Sequence, residues 1–169
     1  MTEHILYRED KLSIGITVIL GIIAVLMTIY LVAQMLYGPI GSKPAPTWSL
    51  GLLAGFFILC TINFFKIRIT LTDDRVKVYY GVFGSSRKWT ELRGCELDTK
   101  NGFYGYGIRF GKYKAEWSWI YNVIGGARVV FLAKPDKPGT LIVSTRNPDE
   151  ILRIAKEMIP EPAPAGQRQ

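Results

Sequence analysis

His4 is the chain's only histidine, and Cys60 and Cys95 are its only cysteines. General acid–base, nucleophilic or zinc chemistry needs such groups in convergent sets, and the spacing here supplies none: there is no CxxC and no Cys/His ligand pattern. Cys60 falls in an uncharged apolar run and Cys95 in a polar, strand-rich half, which argues against a disulfide. The stretch GFYGYG at 102–107 is glycine-rich but does not match GxGxxG and does not lead into a helix. Neither a P-loop nor a GxSxG elbow is present. The expectation is a noncatalytic protein with no cofactor, no metal and no evident small-molecule substrate.

Residues suited to binding are more plentiful. Trp117, Trp119 and Tyr121 alternate along one strand and share a face. Burying each ring contributes about 2 to 3 kcal/mol, so the first expectation is that they fill a core. Exposed, they would form a hydrophobic groove for a partner or a foot in a membrane interface. Trp89 carries the same two readings. Arg87 and Lys88, with Lys112 and Lys114 in an expected hairpin turn, are the best basic clusters; the plainer reading is a solvated rim.

The elements that must carry these residues divide the chain in two. No charge occurs between Lys11 and Lys43, and residues 12–37 would rise about 39 Å as a helix, against a hydrocarbon core of about 30 Å. Residues 48–65 form a second uncharged run, about 27 Å long as a helix. Trp, Tyr and Phe at the ends of both runs fit interfacial anchoring better than a buried pair in a soluble protein. The first run is too long for the core of a cleaved signal peptide. Gly51 and Gly55 form a small-xxx-small pair suited to helix packing against the first helix, a second copy or another protein. Lys43 is the one basic residue of the connector 38–47, while Arg8, Lys11, Lys66, Arg68, Arg75 and Lys77 flank the outer ends. By the positive-inside rule both termini are cytoplasmic, at the cell inner (plasma) membrane.

From Lys66 the grammar changes. KIRITLT and RVKVYYGVF alternate around Asp73-Asp74, which reads as a hairpin, and RKWTEL resumes the strand pattern after GSS. Further strands are expected over 93–98, 104–111, 115–123, 128–133 and 140–144, with turns at Asn101-Gly102 and Gly125-Gly126 among them. One amphipathic helix follows: Asn147 as cap, Pro148 at the first position, Asp149 and Glu150 in the first turn, and Ile151, Leu152, Ala155, Met158 and Ile159 on one face. Residues 160–169 have nothing apolar to bury. This half holds 18 Lys and Arg against 11 Asp and Glu, so the whole net charge of +7 belongs to it. Beside an anionic leaflet such charge is favourable; two spans make a membrane-facing role simpler than nucleic acid.

The set GYGIR, the aromatic strand, a glycine turn, ARVVFLAKPDKPGTLIVST and the helix start RNPDE resembles the bacterial pleckstrin-homology-like (PH-like) domains attached to membrane helices. The resemblance covers about 66–159 and implies a binding scaffold. Phosphoinositide-binding members carry a basic first loop; here that loop is Thr72-Asp73-Asp74-Arg75, short and acidic. The resulting expectation is an α+β membrane protein. An N-terminal arm at 1–11 and a transmembrane helical hairpin precede a PH-like antiparallel barrel or sandwich of about seven strands, capped by one C-terminal helix. Its function would be to bind a membrane protein partner or a second copy as an accessory or assembly subunit; the alternative is a reader of anionic membrane lipids at the cytoplasmic leaflet.

Overall fold

The computed structural model describes residues 3–99, 105–114, 116–123, 125–137 and 139–160. The expected turn at Asn101-Gly102 and the tail beyond Pro160 lie outside them. Nine strands and three α-helices are found among the described residues, where about seven strands were expected.

The first element is a strand. Residues Ile5–Leu12 form β1, where only an N-terminal arm at 1–11 was expected. Helices α1 (Ile14–Tyr37) and α2 (Thr47–Asn63) follow, and then β2 (Lys66–Thr72), β3 (Arg75–Tyr80) and β4 (Phe83–Lys88). These four strands form one antiparallel sheet in chain order. In β1 the register is Leu12 opposite Lys66 and Arg8 opposite Thr70, and Ser13 N–H donates to Phe65 C=O at 2.9 Å. The two helices are therefore an insertion at the turn of a β1–β2 hairpin, and the sheet domain begins before them rather than at Lys66. His4 C=O accepts from Asp73 N–H, which ties the chain ahead of β1 to the β2–β3 turn.

β1 was hard to read because its inward face is polar. Glu9, Lys11 and Ser13 are buried there, each flanked by outward residues. Glu9 accepts from Arg146 N–H at 2.9 Å, from the Thr145 hydroxyl and from the Tyr7 hydroxyl. The Ser13 hydroxyl accepts from Tyr80.

α1 and α2 lie antiparallel: Gln34 Nε2 donates to Ala45 C=O and Thr47 Oγ1, at 2.8 and 3.1 Å, while a Cβ at Gly21 would lie 3.8 Å from Thr61. Ala24, Leu50 and Ala54 close the seam. The remaining faces expose Val18, Ile22, Ile29, Leu52, Phe56 and Leu59. By length and composition α1 is long and apolar enough to cross a membrane; α2 is a shorter apolar helix of 17 residues.

The second sheet contains β5 (Leu92–Leu97), β6 (Gly107–Tyr113), β7 (Glu116–Asn122), β8 (Ala127–Ala133) and β9 (Thr140–Thr145), ordered β5-β8-β9-β7-β6. Its ladders are antiparallel except for β7–β9, which is parallel. The stretch expected to continue as a strand at RKWTEL instead contains a 3₁₀ turn, Trp89–Glu91. Trp89 is core: its Nε1–H donates to Thr72 C=O at 2.8 Å and its ring lies against Phe131.

Helix α3 (Pro148–Met158) packs on β5 and β8, burying Ile151, Ile154 and Ala155. Pro148 stands at its start with Asp149 and Glu150 in the first turn, but the Asn147 side chain does not cap; it donates to the Tyr7 hydroxyl at 3.1 Å. The main core, between the sheets and α3, includes Ile67, Val78, Leu92, Phe131 and Val143. A smaller cluster of Tyr113, Ile120, Val130 and Ile142 fills the other face of the second sheet. The sheet curls around it. Tyr113 at the end of β6 donates its hydroxyl to Glu96 in β5 at 3.0 Å, linking strands from opposite edges.

Candidate functional site

The curl decides what the aromatic strand does. Because the small cluster takes Ser118 and Ile120 of β7 into a buried face, the alternate face carries Trp117, Trp119 and Tyr121 toward the first sheet. That sheet ends at β4. It covers Tyr121, which is 3% exposed, but leaves Trp117 54% and Trp119 39% exposed. The expected core role thus holds for Tyr121 and fails for both tryptophans.

Phe110 completes the surface. β6 and β7 pair with Phe110 opposite Trp119 and Lys112 opposite Trp117, so these side chains share a face. Phe110 stacks on Trp117 with ring centroids 4.8 Å apart and meets Trp119 at 5.0 Å. The Lys112 ammonium sits 5.2 Å above the Trp117 ring, a cation–π contact. Phe110 was legible only after pairing, since Ile108, Phe110 and Lys112 repeat the alternation of 117, 119 and 121 across the turn at Lys114.

A cleft of about 410 Å³ runs between this surface and β4, with Ile108, Trp119 and Tyr121 facing Phe83, Gly84, Ser85 and Arg87. Burial pushes the Tyr121 phenol above its ordinary range. Arg87 donates from Nε to Gly139 C=O at 3.3 Å and from Nη1 to Ser86 C=O at 2.8 Å, which fixes its guanidinium at the cleft wall. β4 and β6 are the edge strands of their sheets. An aromatic floor is therefore flanked by two backbone edges.

Of the expected binding residues, Arg87, Lys112, Trp117 and Trp119 come together. Lys88 and Lys114 do not. Lys88 is opposite Arg75 in the β3–β4 ladder, while Lys114 bonds Glu96 at 2.6 Å and holds that carboxyl below its usual range. A Cβ at Gly51 or Gly55 would meet nothing within 4 Å, so neither glycine faces α1. Cys95 is pushed up to about 12 by burial, which makes its thiolate scarce near neutral pH. Among the described residues no three His, Cys, Asp or Glu side chains converge on a metal position.

A second concavity, of about 720 Å³, lies at the corner where α2 meets the outer face of the first sheet. Its lining includes Arg8, Lys66, Arg68 and Lys77 on the sheet and Ile62 and Phe65 at the helix end. Asp10 bonds Arg68 at 2.7 Å and lies 3.6 Å from Lys66 and 3.8 Å from Arg8; the Arg68 bond holds its carboxyl below the usual range. Lys77 pairs with Glu3.

No family model, no curated protein and no solved structure matches the chain.

Proposed function

We propose that the protein is a noncatalytic membrane component: α1 and α2 cross the bilayer as a pair, and the sheets with α3 form a PH-like binding module on the cytoplasmic side. What supports the anchor is the apolar outer surface of both helices, which in water would expose many large aliphatic side chains at once. The chain uses its module to hold a protein partner as an accessory or assembly subunit.

The observation that carries the binding reading is the solvent exposure of Trp117 and Trp119 beside β4 and β6, each an edge strand of its sheet. An extended partner segment adds to an edge through main-chain hydrogen bonds and places alternate apolar side chains on the ring floor. Arg87 and Lys112 favour acidic groups in that segment. Aromatic and arginine side chains in a partly desolvated centre are also the usual anchors of interfaces.

The test is a photo-crosslinking residue at position 119 of the full-length chain in native membranes. A discrete protein adduct, lost when Phe110 and Trp117 are changed to alanine and accompanied by a stoichiometric subunit in mild detergent, is expected. Adducts to lipid alone, or a subunit retained by the F110A/W117A/W119A chain, would refute the cleft as its binding site.

A further inference from the structure

We infer that the corner between α2 and the first sheet seats one anionic phospholipid of the adjacent leaflet, with its acyl chains along α2 and its phosphate on the sheet. The inference rests on the membrane reading above. It is independent of the aromatic cleft, with which the corner shares no lining residue.

Charge supplies the first argument. A single carboxylate, Asp10, is shared by Arg8, Lys66 and Arg68, and so cannot neutralise all three. Lys66 and Arg68 alternate on β2 and point outward from the same face, with Tyr79 opposite Arg68 in the ladder. The half-exposed Tyr79 phenol lines the same corner and adds a neutral donor to the cationic row. Pairs this exposed are weak, and their partners exchange readily for a phosphate.

The second argument is the neighbouring apolar wall. Ile62 and Phe65 are exposed where they line the corner, and Leu59 continues that surface one turn earlier on α2. A free phosphate would use the cations and leave this wall wet. A phospholipid uses both.

The corner is also preformed. Asn63 Oδ1 accepts from Val82 N–H at 2.7 Å, and Gly81, at φ +59°, fits so closely that a Cβ would strike Asn63. The end of α2 and the β3–β4 turn are thereby fixed to each other, so binding has little ordering to do. Since the helices already hold the protein in the bilayer, the bound lipid serves to set the tilt of the sheets against the leaflet.

The full-length chain is reconstituted into nanodiscs of phosphatidylcholine with a minor share of phosphatidylglycerol, extracted in mild detergent, and its retained lipid is quantified by mass spectrometry. The wild-type chain should retain phosphatidylglycerol enriched about tenfold over its bulk share, and K66Q/R68Q should fall to the bulk ratio. K134Q/K137Q, which removes the same charge from the β8–β9 connection, should keep the enrichment. If K66Q/R68Q fails to fold, Lys77→Gln alone should lower the enrichment about threefold. Absence of enrichment, equal loss in K134Q/K137Q, or displacement of the lipid by inorganic phosphate would each overturn the seat. A chain that does not enter nanodiscs overturns the membrane reading together with it; one that enters and shows no preference overturns this inference alone.

Discussion

Glu9 joins β1 to the distant end of β9 through Thr145 and Arg146, and also accepts from Tyr7 on its own strand. Removing a buried carboxylate with three donors leaves those donors unsatisfied, so Glu9→Ala should cost about 3 kcal/mol in denaturant unfolding. Its neighbour Lys11 is 2% exposed, and among the described residues its ammonium has no hydrogen-bond partner. Burial pushes the Lys11 amine below its ordinary 10.5. In the window below 10.5 the unfolded chain binds a proton that the folded chain has given up, so stability should rise with pH there. Above 10.0 the Tyr7, Tyr80 and Tyr121 phenols, all raised by burial, act in the opposite sense. Unfolding followed from neutral pH to about 10 should show the rise in the wild type and a flatter profile in Lys11→Met.

Among the elements, hairpins whose turn chemistry and alternation agree were legible: β2 and β3 around Asp73-Asp74 lie where the alternation puts them. The run RVKVYYGVF concealed a turn, because Gly81 at φ +59° breaks the alternation without changing its apolar character. Gly81→Ala combines a left-handed backbone with a clash against Asn63 and should cost about 3 kcal/mol, with faster hydrogen exchange at Val82 N–H. β7 was legible as a strand but its exposed face was not. That depended on the curl closed by Tyr113 and Glu96, a contact between opposite sheet edges that no local pattern encodes. Since Trp117 and Trp119 are only half buried, W117A/W119A should cost about 2 kcal/mol in unfolding stability, leaving the chain folded, while abolishing partner capture.

For the whole molecule, composition located the two apolar helices closely and missed how they are inserted. β1 escaped detection because Glu9 and Lys11 occupy its inward positions, where a strand pattern calls for apolar residues. The ladder between β1 and β2 gives a direct prediction. Replacing residues 13–65 with a two-residue Asn-Gly turn should give a water-soluble, monomeric domain with a cooperative thermal transition, whereas a chain starting at Lys66 should not fold. The excised domain loses the Ser13–Tyr80 and Asn63–Val82 bonds and the packing of Phe64 on Tyr80, and should be about 3 kcal/mol less stable than the same sheets in the full chain.

The same insertion imposes an order on biosynthesis. β1 leaves the ribosome first, yet its pairing partner β2 emerges only after both helices have been made. If, as proposed, the helices are delivered to a translocon as they appear, β1 would wait on the cytosolic side with Glu9 and Lys11, buried in the finished fold, still in water, and the first sheet could zip up only once the second helix has returned its end to the point of departure. On that reading, membrane integration would become the checkpoint for maturation of the sheet domain, and a chain with one stalled helix would carry an unmatched β2 edge, a ready mark for quality-control proteases.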